Sequence, residues 1–175
     1  DKGMRISEVN DYLEAEAERR HNGDAGTVQD HWARLQGRML SAIVRFDEEA
    51  LEAVYNEALS SYPIRDVTRQ LVTPLLVELG RRWSTGEGAV AEEHFFGFYL
   101  RNKLGARFHH RSRNSRGPRL LMSCLPGERH EVGLLLLALA TNELGYRPVI
   151  LGADMPLEEL AVAAKRTDSA GIILS

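Results

Sequence analysis

Apolar positions along this chain follow two different periods. Up to about residue 110 they recur every three or four residues, the spacing of one helix face. Ile6 to Arg20 reads as a polar, Glu-rich helix with little to bury, and residues 21–26 read as a loop. Thr27 with Asp30 fits a capping box opening a helix that runs to about Phe46. Asp47 is placed to cap the next helix, Glu48 to Ser60, which must stop before Pro63. Ile64 to about Ser84 carries Leu71, Leu75, Leu79 and Trp83 at four-residue spacing, and Pro74 inside that row predicts a bend. Thr85-Gly86-Glu87-Gly88 ends this helix, and a last one runs from about Val90 to Phe108. Four long helices with short joints predict an antiparallel four-helix bundle.

Beyond residue 118 the period changes. Leu120–Leu125, Pro148–Leu151 and Gly171–Leu174 are short apolar runs of strand type. Glu131–Leu144 and Pro156–Arg166 between them are helical, and such alternation predicts a parallel sheet with crossover helices. The expected architecture is therefore α followed by α/β: a helical bundle, then a parallel three-stranded layer that reads as truncated after its third strand. The expected segments are 1–26 (helix and linker), 27–110 (helical cap), 111–118 (linker, from the Ser112 to Pro118 run) and 119–175 (α/β domain).

Composition narrows the function classes. With 43% hydrophobic and 27% charged residues, the 175-residue chain is of ordinary globular type. Its longest apolar run, Val132 to Ala140, is far short of the roughly 18 residues a membrane span needs, and no leader opens the chain, so a cytoplasmic protein is expected. One cysteine, Cys124, excludes an internal disulfide and reads as filler in a buried strand. A net charge of −3 gives no bulk case for nucleic acid binding. The charge is uneven, however. Arg101, Lys103, Arg107, Arg111, Arg113, Arg116 and Arg119 occur with His109 and His110 and no acid between them, as a solvated linker or a phosphate-binding strip.

Candidate chemistry sits in two places. Leu120 to Gly133, LLMSCLPGERHEVG, runs strand, loop, helix, which puts Glu128 and His130 at the carboxyl edge of the sheet, where open α/β folds bind ligands. Neutral imidazole is a common metal ligand, and a carboxylate two residues away can hold its other ring nitrogen. Gly133 leaves room beside the first helical turn. A lone E-x-H-x-x-G is a short motif, and solvated loop residues account for it as well. The second place is Trp83 with Glu93 and His94, near a short joint between two helices, with Gly97 one turn beyond Glu93. Trp83 as core and Glu93 as a partner of the helix dipole are the plain alternatives. Phe95, Phe96, Phe98 and Tyr99 read as bundle core.

Together the two constellations resemble one family. Glu128-Arg129-His130-Glu131-Val132-Gly133 is similar to the cobalamin-binding signature D-x-H-x-x-G, with Glu for Asp. Leu151 to Pro156 looks like the turn after the second strand of such domains, and Ser175 falls where their S-x-L serine ends the third strand. Trp83 followed by Glu93-His94 is similar to the Trp…Glu-His motif in the helical cap of CarH/LitR-type regulators, cobalamin-dependent photoreceptors of the MerR class. The resemblance covers residues from roughly 40 to 175.

It implies a flavodoxin-like (Rossmann-type) cobalamin-binding domain beneath a helical cap, in a transcription regulator that is not an enzyme and has no catalytic residues. His130 is then the lower cobalt ligand and Glu128 its orienting partner. Gly133 and Ser175 line the slot for the displaced nucleotide tail, with Arg129 and Val132 beside them. Trp83, Glu93 and His94 cover the upper, adenosyl face. Adenosylcobalamin is the favoured cofactor and methylcobalamin the alternative. The implied partners are a second copy of the chain, in a homo-oligomer that light dissociates, and DNA through a further domain, of which Lys2 to Val9 reads as a tail; no membrane is implied. Members that lock the light state carry His directly after the cap Trp; Ser84 here departs from that pattern. A corrinoid methyl carrier is the alternative function, and a cobalamin-free interaction module a third. Arg129 and Asp154, on loops at the same sheet edge, are expected to pair within or between chains, or to be solvated rim charges.

Overall fold

Trp32, Leu35, Met39, Ala42 and Ile43 share one side of the first described helix, α1 (28–44), and all are buried. The computed structural model describes residues 28–112 and 116–175. The expected Ile6–Arg20 helix, the loop after it, the Lys2–Val9 tail and the cap residue Thr27 lie outside them. Two compact units divide the chain, one ending at Gly88 and one running Ala89–Ser175.

In the first unit, Asp47 caps α2 (Glu48–Ser61) as expected, its Oδ1 accepting from the Ala50 N–H at 2.9 Å. Leu51, Val54, Tyr55 and Ala58 form the buried face of α2. Tyr62, just past its end, packs its ring 4.4 Å from that of Trp32, centroid to centroid, which joins α2 to α1.

The segment expected to be one bent helix is continuous, but its hydrogen-bond pattern changes twice along its length. Ile64–Val67 (α3) is α-helical, Thr68–Val72 is a π turn, and Thr73–Thr85 (α4) returns to α. The cause is Pro74. It has no N–H to give to the carbonyl four residues back, on Gln70. That carbonyl instead accepts from Gln36 Nε2 on α1 at 2.6 Å. A backbone group freed by the proline is thus satisfied from the neighbouring helix, and the register slip between Thr68 and Thr73 absorbs the strain. Beyond it, Leu75 and Leu79 are buried but Trp83, the end of the same row, is 56% exposed. Gly86, at φ +76, closes α4 by donating to the carbonyls of Arg82 and Trp83.

The second unit contains α5 (Val90–Ser112), β1 (Arg119–Ser123), α6 (Glu131–Glu143), β2 (Arg147–Gly152), α7 (Leu157–Thr167) and β3 (Ser169–Leu174). All three strands are parallel, in the order β2-β1-β3, and Leu121 pairs with both Val149 and Ile172. A helical first part followed by a parallel α/β layer is the architecture the sequence predicts. Central β1 is the most buried strand, covered by α6 and α7. α6 buries Val132, Leu134, Leu135, Ala138 and Leu139, and it also packs on α5. Of the aromatic group on α5, Phe96 and Tyr99 are buried as core, while Phe98 is 60% exposed under the Arg101 guanidinium, 5.4 Å from its ring centroid. Where a linker was expected, Gly117 abuts the Gly145 backbone and the Pro118 carbonyl accepts from the Arg147 N–H. No helix among the described residues is long and apolar enough to cross a membrane.

Candidate functional site

The chain leaves β1 at Ser123 and is at once tied to both neighbouring strands. The Cys124 N–H donates to the Gly152 carbonyl at 2.9 Å, and the Leu125 N–H donates to the Ser175 carbonyl at 3.1 Å. Cys124 is buried, and that burial, with the charges of Glu128 and Glu131, holds its thiol above the usual range; it is filler, as expected. The turn that follows needs Gly127, whose φ is +83. Its N–H donates to Asp154 Oδ1 at 2.7 Å, and the Asp154 N–H donates back to the Glu128 carbonyl at 3.0 Å. Within the chain Asp154 thus shapes the loop, and Arg129 is exposed, as the reading of it as a solvated rim charge has it.

This loop presents Glu128 and His130 in one fixed relation. Glu128 Oε1 takes the His130 backbone N–H at 2.7 Å and stands 2.6 Å from His130 Nδ1. Those bonds, the backbone one first, hold the Glu128 carboxyl below the usual carboxylate range. With Nδ1 committed to the carboxylate, the lone pair of a neutral ring lies on Nε2, the arrangement in which histidine binds metals. The His130 side chain is 77% exposed, and its Nε2 faces Glu93 Oε1 of α5 at 3.3 Å. Glu93, Glu128 and His130 thus come together, all within the second unit.

Gly133 and Ser175 also meet. A β-carbon placed on Gly133 would touch Ser175 Oγ at 3.9 Å, so any longer side chain would fill the space between the start of α6 and the end of β3. Val132 faces inward and is buried. His94 is exposed on α5, and a β-carbon on Gly97 would meet nothing within 4 Å. Trp83 stands exposed near the end of α4 in the first unit, which removes the plain reading of it as core. Ser84, directly after it, turns its hydroxyl back to the Arg81 carbonyl at 2.8 Å. Sequence reasoning did not single out Glu131, whose carboxylate reaches both Ala153 and Arg101. The only sequence signal for it is an acid opening a helix beside a Gly-Ala-Asp turn.

Residues 35–107 match the protein-family model described as B12 binding domain. Among curated proteins, the chain is similar to the HTH-type transcriptional repressor CarH of Myxococcus xanthus, with 33% identity covering 98% of this chain and 60% of that protein. It is also similar to the HTH-type transcriptional repressor CarA of the same organism, with 28% identity covering 91% of this chain and 51% of that one. The chain thus spans only half to three-fifths of the length of these relatives. Its fold is that of the monomethylamine corrinoid protein of Methanosarcina barkeri, with a TM-score of 0.65 at 18% identity over 81% of this chain and 68% of that one.

Proposed function

We propose that this chain is a CarH-type regulator that binds cobalamin, adenosylcobalamin by preference, and transmits the state of the cofactor to a repressor's grip on DNA. The observation that carries the reading is the exposed imidazole of His130, its Nδ1 tied 2.6 Å from Glu128 and its Nε2 directed out of the loop. That donor would suit the cobalt of a corrinoid, and Gly133, where a β-carbon would already come into contact with Ser175 Oγ, keeps side-chain bulk out from between them.

On this reading each residue has a physical task. His130 supplies Nε2 to the metal, once Glu93 has moved from it. Glu128 fixes the ring's rotation and tautomer and raises the basicity of Nε2. Gly133 and Ser175 keep the passage beside α6 open, with Arg129 at its rim and Val132 anchoring the helix from within. Glu93 and His94 would offer hydrogen bonds to the group that the cobalt carries, and Trp83 has an exposed indole to offer it. The cofactor supplies a cobalt–carbon bond that light breaks. Losing the group that the cap residues hold would change the free energy of one state relative to another, as a switch requires. The assembled form is a homo-oligomer in the cytoplasm, DNA is held through a domain outside these residues, and no step is catalytic.

Size-exclusion chromatography with absorbance, after adding adenosylcobalamin in the dark and again after green light, tests the reading. The expected result is a cofactor-bearing oligomer in the dark that dissociates on illumination, and no stable cofactor retention by His130→Ala. Retention with no light-dependent change in size would favour a corrinoid carrier instead.

A further inference from the structure

Glu131 follows His130 directly and is the first residue of α6. An acid in the first turn favourably meets the helix dipole and needs no other partner. Glu131 nevertheless reaches out of its own helix twice. Oε1 accepts from the Ala153 N–H at 3.1 Å, in the turn after β2, and Oε2 lies 3.3 Å from Arg101 Nη1 on α5. Room for the first contact is made by Gly152: at φ +92, a β-carbon there would stand 2.8 Å from Glu131 Oε1 and push the carboxylate off Ala153. The side chain is only 25% exposed, half the exposure of Arg101. His130, by contrast, caps α6 with no side-chain hydrogen bond, so the helix start is held by Glu128 at the His130 N–H and by Glu131 from within the first turn.

We propose that Glu131 is a positioning residue for His130: it clamps the first turn of α6 to α5 and to the β2–α7 turn, and thereby sets where the imidazole stands. The division of labour is geometric. Glu128 reaches the ring, fixing its rotation, and holds the His130 N–H from the loop side. Glu131 shares a rigid peptide unit with His130, so holding residue 131 against Ala153 and Arg101 holds the Cα of residue 130. Neighbouring residues 130 and 131 meet α5 at Glu93 and Arg101, eight residues or about 12 Å apart along that helix. α5 is therefore gripped at two points from one loop. The inference rests on the reading of His130 as a cobalt ligand and adds to it a residue outside the metal's reach.

The test uses the whole chain, labelled with 15N-histidine and titrated with cob(II)alamin, with Kd taken from absorbance and the axial nitrogen from electron paramagnetic resonance. Nitrogen-15 coupling marks ligation by a histidine, assigned to His130 by its loss in His130→Ala, and nitrogen-14 coupling marks the cofactor's own base. Glu131→Ser keeps a residue suited to a helix start but reaches neither Ala153 nor Arg101, which separates positioning from folding. The expected result for Glu131→Ser is a 10- to 100-fold weaker Kd, of the order seen for partners that orient metal ligands, with loss of much of the nitrogen-15 coupling. Glu131→Gln keeps the acceptor for Ala153 and is expected to retain the coupling. Wild-type coupling and affinity in Glu131→Ser would overturn the inference while leaving His130 as ligand. Absence of nitrogen-15 coupling in the wild type would defeat the ligand reading itself.

Discussion

His130 Nε2 lies 3.3 Å from Glu93 Oε1, so a carboxylate of α5 already faces the ring nitrogen that a metal would take. The two groups compete for one position. A corrinoid that uses His130 has first to turn the Glu93 carboxylate away from the ring. The pair attracts only while Nε2 carries a proton, and with the His130 side chain 77% and the Glu93 side chain 30% exposed it is then largely solvent-screened and contributes on the order of 0.2–1 kcal/mol.

Glu93→Ala should therefore speed the uptake of hydroxocobalamin, which brings no adenosyl group for Glu93 to hold. The expected gain is about 1.5- to 5-fold, the rate equivalent of that energy. Stopped-flow absorbance reads it directly, and an unchanged association rate would mean that the contact does not gate entry.

Gln36→Leu removes the donor that satisfies the Gln70 carbonyl across from Pro74. Leaving that part-buried acceptor unmade should cost about 1–2 kcal/mol, read as an earlier urea midpoint with unchanged slope. Retention of the wild-type midpoint would show that water replaces the amide without loss.

Gly117→Ala should be more damaging than its exposure suggests, because the added methyl would collide with the Gly145 carbonyl oxygen. That atom belongs to the turn leading into β2, where Gly145 itself sits at φ +89. Overpacking against backbone typically costs about 1–3 kcal/mol, and a thermal melt within a degree of wild type would disprove the clash.

Arg81 bridges Glu78 at 2.8 Å and Glu87 at 2.9 Å, around the turn that closes α4. Hydrogen bonds from Arg81 hold both carboxyls below the ordinary value of 4.5. Because the folded values lie below the unfolded ones, the stabilisation is complete above about pH 4.5 and is lost as pH falls through the lower folded values. Carbon-13 titration should find both midpoints below 4.5 in the wild type, and both should return toward 4.5 in Arg81→Met. Wild-type midpoints already at 4.5 would show the bridges to be absent in solution.

Local signals made much of this readable from the chain. Asp47 before an acidic first turn gave the start of α2, and the change of apolar period after Pro118 gave the parallel sheet. The Glu128–His130 pair was also legible, since two residues of separation bring a carboxylate to the near ring nitrogen of a histidine at a helix start. What could not be read depends on partners distant in sequence. The π turn at Thr68–Val72 has Gln36, 34 residues before Gln70, to take up the freed carbonyl. The fate of Asp154 was hidden because its true partner is a backbone N–H, on Gly127, which leaves no trace in side-chain pattern. Glu131 escaped notice for the same reason: half of its role is a bond to the main chain of Ala153.

The loop from Gly127 to Glu131 is stitched to the β2–α7 turn by three hydrogen bonds, Gly127 to Asp154, Asp154 to Glu128 and Ala153 to Glu131. Fixing a residue's backbone costs about 1–2 kcal/mol, and here that ordering is complete when the domain folds. A ligand arriving at His130 meets a preorganised shelf and spends none of its binding free energy on setting it. The side chain at position 129, on which none of these bonds depends, can therefore be exchanged without disturbing the shelf, altering only what a ligand meets at its rim.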